Sequence, residues 1–184
     1  MLFRSVDGNA TTARFFALGG VAVGPSGDVF VSDNHAIRRI DSAGNVSTYA
    51  GAMGQAGDVD GAAASARFLA PGALAFGPDG ALYVTVGSTI RKVSPDGATV
   101  SRLAVTDLRG GLSVDADGSV YYGAADGLRC VTAAGNNSVV VPAGSSTVTG
   151  TSPTLLAVFG LAMLAPKQLV VQANNGLLMK VTLP

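Results

Sequence analysis

An internal repeat constrains the fold more than any other feature of this sequence. Residues 19–46 align without a gap with residues 72–99, at an offset of 53 positions. A third copy at 110–139 follows the second at an offset of 38 positions, and a fourth, degraded copy begins near Gly160. A period of about 40–50 residues is typical of arrays in which each copy forms one supersecondary unit.

Each copy has the same order of strands and turns. A short apolar strand leads into a tight turn, and a second strand, a polar loop and a third strand follow. A second turn leads to a fourth strand, except in the degraded copy, which shows three. Pro or Asp two positions before Gly is turn chemistry, so we expect positive φ at Gly27, Gly80 and Gly118. This order predicts an all-β chain, a β-propeller built of four-stranded antiparallel blades.

The copies predict a single propeller domain over residues 1–184, with about four blades. The expected bounds are 13–51, 66–104, 107–143 and, for the degraded blade, 155–184. Composition agrees, because all twelve acidic residues are Asp and only three Lys occur. Helix surfaces are usually built from Glu and Lys, which lose little rotamer freedom there.

Charge and composition exclude several functions. Twelve basic residues balance twelve acidic ones without forming a block, so we expect neither a nucleic acid nor a membrane as partner. The most apolar run, residues 155–165, has 11 residues and is too short to span a bilayer. A single Cys130 and a single His35 exclude an internal disulfide and a centre built of several Cys or His. We expect no metal and no cofactor.

The compartment stays open at this point. Residues 1–10 lack the apolar core of a signal peptide. Three Asn-x-Ser/Thr sequons would be glycosylated only in a secreted chain; they begin at Asn9, Asn45 and Asn136.

The repeats resemble those of NHL-repeat β-propellers. The resemblance is carried by the Gly-Pro-x-Gly turns, by the Ile-Arg-Lys/Arg segments and by the linker-plus-repeat stretch 48–84. It implies a propeller, usually with five or six blades. The chain is therefore expected to be a fragment with open blade edges, available for association, or a compact propeller that closes on itself. The resemblance implies little about activity, because propellers host many functions.

Propeller enzymes with similar repeats define the alternatives for function. Gluconolactonase-like propellers hold a metal with Glu, Asn and Asp, and peptidyl-hydroxyglycine lyase propellers hold zinc with several His. This chain has no Glu and one His. We therefore expect no catalytic residue, and a non-enzymatic scaffold that binds a protein, peptide or glycan through its loop face. The alternative is a partial or degenerate gluconolactonase-like hydrolase.

The glycine-rich segment 49–68 looks like a ligand loop but is predicted to be a connection. A phosphate loop needs Lys-Ser/Thr after its last glycine, whereas Asp58 follows Gly57 here. A calcium loop starting at Asp58 needs acids at its fifth and twelfth positions, where Ala62 and Leu69 stand. Part of the segment also recurs at 6–15, and a structural element is needed in every blade.

Two sets of arginines recur in register. Arg14 and Arg67 each stand just before a Phe, and we predict that they bond backbone carbonyls of the connection while the Phe wedges between blades. The other set alternates with apolar residues on the third strands and is predicted to lie on solvated strand faces: Arg38, Arg91 and Arg129.

The least repetitive loop of the best-preserved blade carries the candidate ligand residues Asp33, Asn34 and His35. In a propeller, this loop opens on the same face as the crossovers between blades. Loops on this face vary between blades, whereas the Gly-Pro-x-Gly turns on the other are nearly uniform, so we expect binding on the loop face. The candidate ligand site is completed by Asp58, Asp60 and Asp126.

Overall fold

The protein is an all-β chain made of propeller blades. A computed structural model describes residues 4–142, 158–173 and 178–183. All regular secondary structure in these residues is β-strand, and the strands form four antiparallel sheets. The predicted fold class is thus confirmed, although the described residues form four blades where the resemblance implied five or six. The chain divides into two compact units, Met1–Leu103 and Ala104–Pro184.

Unit 1 contains blades 1 and 2. Blade 1 pairs its strands in chain order: β1 (Leu18–Val23), β2 (Val29–Asp33), β3 (Ala36–Ile40) and β4 (Val46–Gly51). Blade 2 does the same with β6 (Pro71–Phe76), β7 (Leu82–Val86), β8 (Thr89–Val93) and β9 (Thr99–Val105), and the short β5 (Gly61–Ala62) is added outside β9.

Unit 2 contains blades 3 and 4. Blade 3 consists of β10 (Leu108–Val114), β11 (Val120–Ala124), β12 (Gly127–Val131) and β13 (Asn137–Pro142). Blade 4 consists of β14 (Val158–Ala165), β15 (Gln168–Ala173) and β16 (Leu178–Thr182). The degraded copy therefore forms a three-stranded sheet, as its sequence indicated.

The turns between the first two strands of blades 1 to 3 require glycine. Gly27, Gly80 and Gly118 have φ angles of 85°, 78° and 82°, as predicted. A side chain at positive φ is strained, so these turns favour glycine.

Two recurring segments, which we call crossover arms, fold back over the outer strand of the blade that follows them. Arm 1 is residues 5–15 and arm 2 is residues 58–68. Each arm is closed by an antiparallel bridge, Val6 with Arg14 and Val59 with Arg67. Arm 1 bonds to β4 at Val46, and arm 2 pairs with β9 through β5. The glycine-rich segment 49–68 thus begins in β4 and continues as a connection that extends the sheet of blade 2.

Blades 1 and 2 approach closely because small residues line their contact. A Cβ on Gly20 of β1 would lie 2.5 Å from the Gly72 carbonyl oxygen of β6. The Ser32 hydroxyl donates to that same carbonyl at 2.8 Å and accepts from the Gly20 N–H at 2.6 Å. The core between the blades includes the fully buried Phe68, whose burial contributes about 1.5–3 kcal/mol.

Unit 2 has its own core, which lies between blades 3 and 4. It contains Leu128, Cys130, Leu169 and Val181. Burial raises the pKa of the Cys130 thiol, so this residue packs as a small apolar group.

Candidate functional site

A fully buried arginine clamps arm 1 to blade 1. Arg38 donates to the carbonyl oxygens of Val6 at 2.8 Å and Arg14 at 3.3 Å. Its guanidinium also forms ion pairs with Asp7 at 2.7 Å and Asp33 at 2.8 Å. Two carbonyls and two carboxylates therefore surround one guanidinium.

Arg91 builds the equivalent clamp in blade 2. It is fully buried and donates to the carbonyl oxygens of Val59 at 2.8 Å and Arg67 at 3.5 Å. It pairs with Asp58 at 2.8 Å and with Asp60. Two candidate ligand residues, Asp58 and Asp60, thus hold arm 2, with side chains that remain 54% and 44% exposed.

The prediction of solvated third-strand arginines is wrong for Arg38 and Arg91. Alternation with apolar residues suggested an open face, but the arms cover that face and supply acceptors for the guanidinium groups. Arg38 also lies 5.2 Å from the centre of the Phe15 ring, and Arg91 lies 5.3 Å from that of Phe68. Arg129 is different, with a side chain that is 25% exposed.

Arg14 and Arg67 bond to carbonyls of their own arms, as predicted. Arg14 donates to the carbonyls of Thr11 and Ala13 at 2.9 and 2.7 Å. Arg67 donates to those of Ala64 and Ala66 at 3.1 and 2.7 Å. The arginines therefore stabilise the turn at the tip of each arm.

Asp33 is fully buried at the end of β2, where it also organises the start of blade 1. Its carboxylate accepts from the N–H groups of Phe16 at 2.9 Å and Ala17 at 3.0 Å. Burial works to raise the pKa of Asp33, but the Ser5 side chain, these backbone hydrogen bonds and the Arg38 charge outweigh it and hold that pKa below its usual value. The ionised carboxylate is therefore the form that fits this site.

Asn34 and His35 form the turn that follows. Asn34 has a φ of 60°, and its N–H donates to the Ala17 carbonyl at 2.9 Å. The Nδ1 atom of His35 accepts from the N–H of Ala70 at 3.2 Å, just after arm 2. The loop of blade 1 and the crossover to blade 2 thus meet on one face of unit 1. A ligand role for Asp33, Asn34 and His35 stays a prediction.

Asp126, the last candidate residue, lies in unit 2. Its carboxylate accepts from Arg129 at 2.7 and 2.9 Å. The hydrogen bond from Arg129 lowers the pKa of Asp126. Asp126 is thus paired within its own blade.

A small recess opens on the loop face of unit 1; we call it the loop-face recess. It has a volume of about 180 Å³ and is lined by Asp58, Leu69, Val86, Gly87 and Thr89, with Ser88. Leu69 is 59% exposed. The recess therefore combines apolar walls with the half-exposed Asp58 carboxylate.

A larger cleft opens on the opposite face, between the turns of blades 1 and 2; we call it the turn-face cleft. Its volume is about 470 Å³. The rim is formed by the tight turns at Pro25-Ser26, Asp79-Gly80 and Pro95-Asp96. Uniform turns did not indicate this cleft, because two of its aromatic walls, Tyr49 and Phe76, depart from the repeat.

Three aromatic rings line the turn-face cleft. The Phe30 ring centre lies 4.8 Å from that of Tyr49 and 5.0 Å from that of Phe76, with interplanar angles of 76° and 68°. Two glycines make room for them. A Cβ on Gly24 would lie 2.8 Å from Phe30, and one on Gly97 would lie 2.7 Å from the Tyr49 hydroxyl.

Three carboxylates also line the cleft, and two of them are paired with cations. Asp28 accepts from Arg39, which also lines the cleft, at 2.6 Å. Asp79 accepts from the Lys92 ammonium at 2.9 Å, which lowers the pKa of Asp79. Asp96 is bonded by neutral donors, the Ser94 hydroxyl and the Ala98 N–H, and these lower its pKa.

The surroundings in the cleft change the pKa of Tyr49. Burial raises the pKa of its phenol, and the Asp96 charge raises that pKa further, against a smaller effect of Arg39. The phenol therefore stays neutral at physiological pH, and its hydroxyl keeps the proton that it can donate in a hydrogen bond.

Within the described residues, no group of three or more His, Cys, Asp or Glu side chains is arranged to hold a metal ion. The same part of the chain contains no helix long and apolar enough to cross a membrane.

Comparison with known proteins identifies the repeat type. Residues 54–110 match the family model of the teneurin NHL domain. None of the curated proteins matches the sequence significantly.

Many solved structures share the fold. A gluconolactonase from Xanthomonas campestris is 18% identical with a TM-score of 0.63, covering 100% of this chain and 61% of that one. A calcium-binding regucalcin from Agrobacterium tumefaciens is 14% identical with a TM-score of 0.57, covering 89% and 60%. Virginiamycin B lyase from Staphylococcus aureus is 14% identical with a TM-score of 0.52, covering 90% and 55%.

These similarities establish the fold alone, because every identity is low. The chain spans 55–61% of the length of these structures. The sequence repeats, the four antiparallel sheets and the match over residues 54–110 identify the chain as a member of the NHL-repeat β-propeller family.

Proposed function

We propose that the chain is a non-enzymatic binding module that takes a peptide segment of a partner protein on the loop face of unit 1. The observation that carries this proposal is the exposed Leu69 beside the loop-face recess. An exposed apolar side chain next to a concave site with one polar anchor is typical of ligand contacts. Here Asp58 is the anchor: Arg91 at 2.8 Å and Arg102 at 2.5 Å fix its two carboxylate oxygens, and their remaining lone pairs suit an N–H donor of the peptide next to an apolar side chain.

The clamps support binding because they make the loop face rigid before a ligand arrives. Arg91 fixes Asp58 and the arm that precedes Leu69, and His35 accepts from Ala70 just beyond it. A surface ordered in advance loses less conformational entropy when it binds.

Composition supports binding over hydrolysis. The chain has no Glu, and its single His accepts a backbone hydrogen bond in the loop. Calorimetric titration with Ca²⁺ and Zn²⁺ tests the alternative. We expect no tight stoichiometric binding, and saturation at one ion per chain would favour the hydrolase-type alternative instead.

Selection of a displayed random peptide library on the immobilised protein tests the proposal directly. We expect enriched peptides whose affinity falls by about tenfold or more in Leu69→Lys, since the lysine removes the apolar contact. Leu164→Lys in blade 4 is the matched control, because Leu164 is 57% exposed against 59% for Leu69. Equal binding by both variants would refute the loop-face site. Enrichment on a glycan array without any selected peptide would replace the peptide as the ligand.

A further inference from the structure

We infer that the turn-face cleft of unit 1 is a second binding site, for an ammonium group carried on an apolar stem. The site is separate from the loop-face recess, because the turns between first and second strands lie at the opposite ends of the strands from the recess. It therefore does not depend on the proposed peptide site.

The aromatic walls supply the first requirement of such a site. Tyr49 and Phe76 stand at steep angles to Phe30, with all three rings lining one cleft. Cations, alkylated ammonium groups above all, are attracted to the faces of such rings, and cages of several rings are the usual way proteins hold them. The apolar stem of the ligand would pack on the same rings.

The charge of the lining supplies the second requirement. Arg39 balances Asp28, and Lys92 balances Asp79, whereas among the described residues Asp96 is bonded only by neutral donors. Within that part of the chain, one negative charge at the rim is thus left without a cation. An anionic ligand would be repelled here, and a cation would gain a carboxylate partner beside the rings.

Blade 2 already holds an ammonium group between an aromatic ring and a carboxylate, at the edge of the cleft where Asp79 lies. The Lys92 ammonium lies 5.3 Å from the centre of the Tyr83 ring and 2.9 Å from the Asp79 carboxylate. The hydrogen bond with Asp79 raises the pKa of Lys92, so the charged form is the stable one. A ligand ammonium between Tyr49 and Asp96 would repeat this arrangement.

The test compares choline with 3,3-dimethylbutan-1-ol, a neutral molecule of the same shape. Each is titrated into the protein while the ring resonances of Tyr49, Phe30 and Phe76 are followed by NMR. We expect choline to shift these resonances saturably and the neutral isostere to bind about tenfold more weakly or worse. Equal affinities would show a merely apolar cleft and overturn the inference, as would the absence of saturable shifts with choline.

Asp96→Asn is the decisive variant, because an Asn side-chain oxygen can still accept from Ser94 and Ala98 and so preserve the turn. We expect its choline affinity to fall to about that of the isostere. Asp41→Asn is the matched control, since Asp41 is a partly exposed carboxylate that accepts backbone N–H groups in the corresponding turn of blade 1, outside the cleft. Loss in the control but not in Asp96→Asn would refute the site.

Discussion

Arg91 in blade 2 and Arg129 in blade 3 occupy the same position of the repeat but different surroundings. Arg91 is fully buried and holds two carbonyls and two carboxylates of arm 2. Arg129 is partly exposed and pairs with Asp126, three residues before it, and more distantly with Asp107. The strand position alone therefore does not decide whether the arginine is buried.

The spacing of the repeats explains the difference. Blade 2 follows blade 1 at an offset of 53 residues, and blade 3 follows blade 2 at an offset of 38. The longer interval accommodates arm 2, which covers Arg91, and the shorter one does not accommodate a segment of that size. An arm is thus an optional addition to this blade, and its arginine clamp accompanies it.

The first prediction extends the comparison to its strongest case, Arg38→Met. The substitution leaves Asp33 fully buried without its cation, and we expect a loss of about 3–5 kcal/mol in the free energy of unfolding. Chemical denaturation measures it. The double variant Arg38→Met, Asp33→Asn is the control, since removing the buried charge should recover part of the loss. Additive losses would show that the ion pair is not the cause.

The second prediction concerns Arg91→Met, where the remaining carboxylates are half exposed. Water can hydrate Asp58 and Asp60 after the substitution, so we expect a smaller loss, about 2–3 kcal/mol. Arm 2 should also become accessible, which faster amide hydrogen exchange at Val59 and Arg67 would report. A loss equal to that of Arg38→Met would contradict the role given to Asp33.

Sequence reasoning succeeded where the two copies agree. Arg14 and Arg67 stand at the same place in both arms, and their bonds to arm carbonyls followed from the need for a structural element in each blade. The turn glycines were predicted for the same reason. The burial of Arg38 and Arg91 could not be read in this way, because no local pattern shows that a segment more than twenty residues earlier folds over them.

Departures from the repeat also have structural causes that the aligned sequence does not reveal. Asp33 drew attention as a ligand candidate because its counterpart in blade 2 is Val86. The structure gives this departure a structural cause, since Ser5 in arm 1 corresponds to Asp58 in arm 2. Each clamp has two carboxylates, and one of them comes from the strand in blade 1 but from the arm in blade 2.

The turn-face cleft was missed because Tyr49 and Phe76, whose counterparts are Arg102 and Val23, were not considered together.

The third prediction concerns the pH dependence of the stability that the Asp33 carboxylate contributes to the clamp of blade 1. Because this pKa is lowered in the folded state, the stabilisation is present above the unfolded value of about 3.9 and is lost as pH falls through the folded value. We expect the stability difference between the wild type and Asp33→Asn to shrink below about pH 4. Denaturation curves between pH 7 and pH 2 measure it. A constant difference over that range would show that the carboxylate charge plays no part.

The smallest effect is expected for Arg129→Met. This is the same substitution at the same position of the repeat, in a blade where neither arm 1 nor arm 2 covers the arginine. Its main partner, Asp126, is exposed and lies only three residues away, so the pair gains little and salt screens it. We expect a loss of about 0–1 kcal/mol, measured by the same denaturation, and a still smaller one at 1 M salt. The value matters because Arg38, Arg91 and Arg129 share one position in the repeat. If Arg129→Met cost as much as Arg91→Met, strand position would set the contribution of these arginines, and the stabilising role assigned to the arms would be wrong.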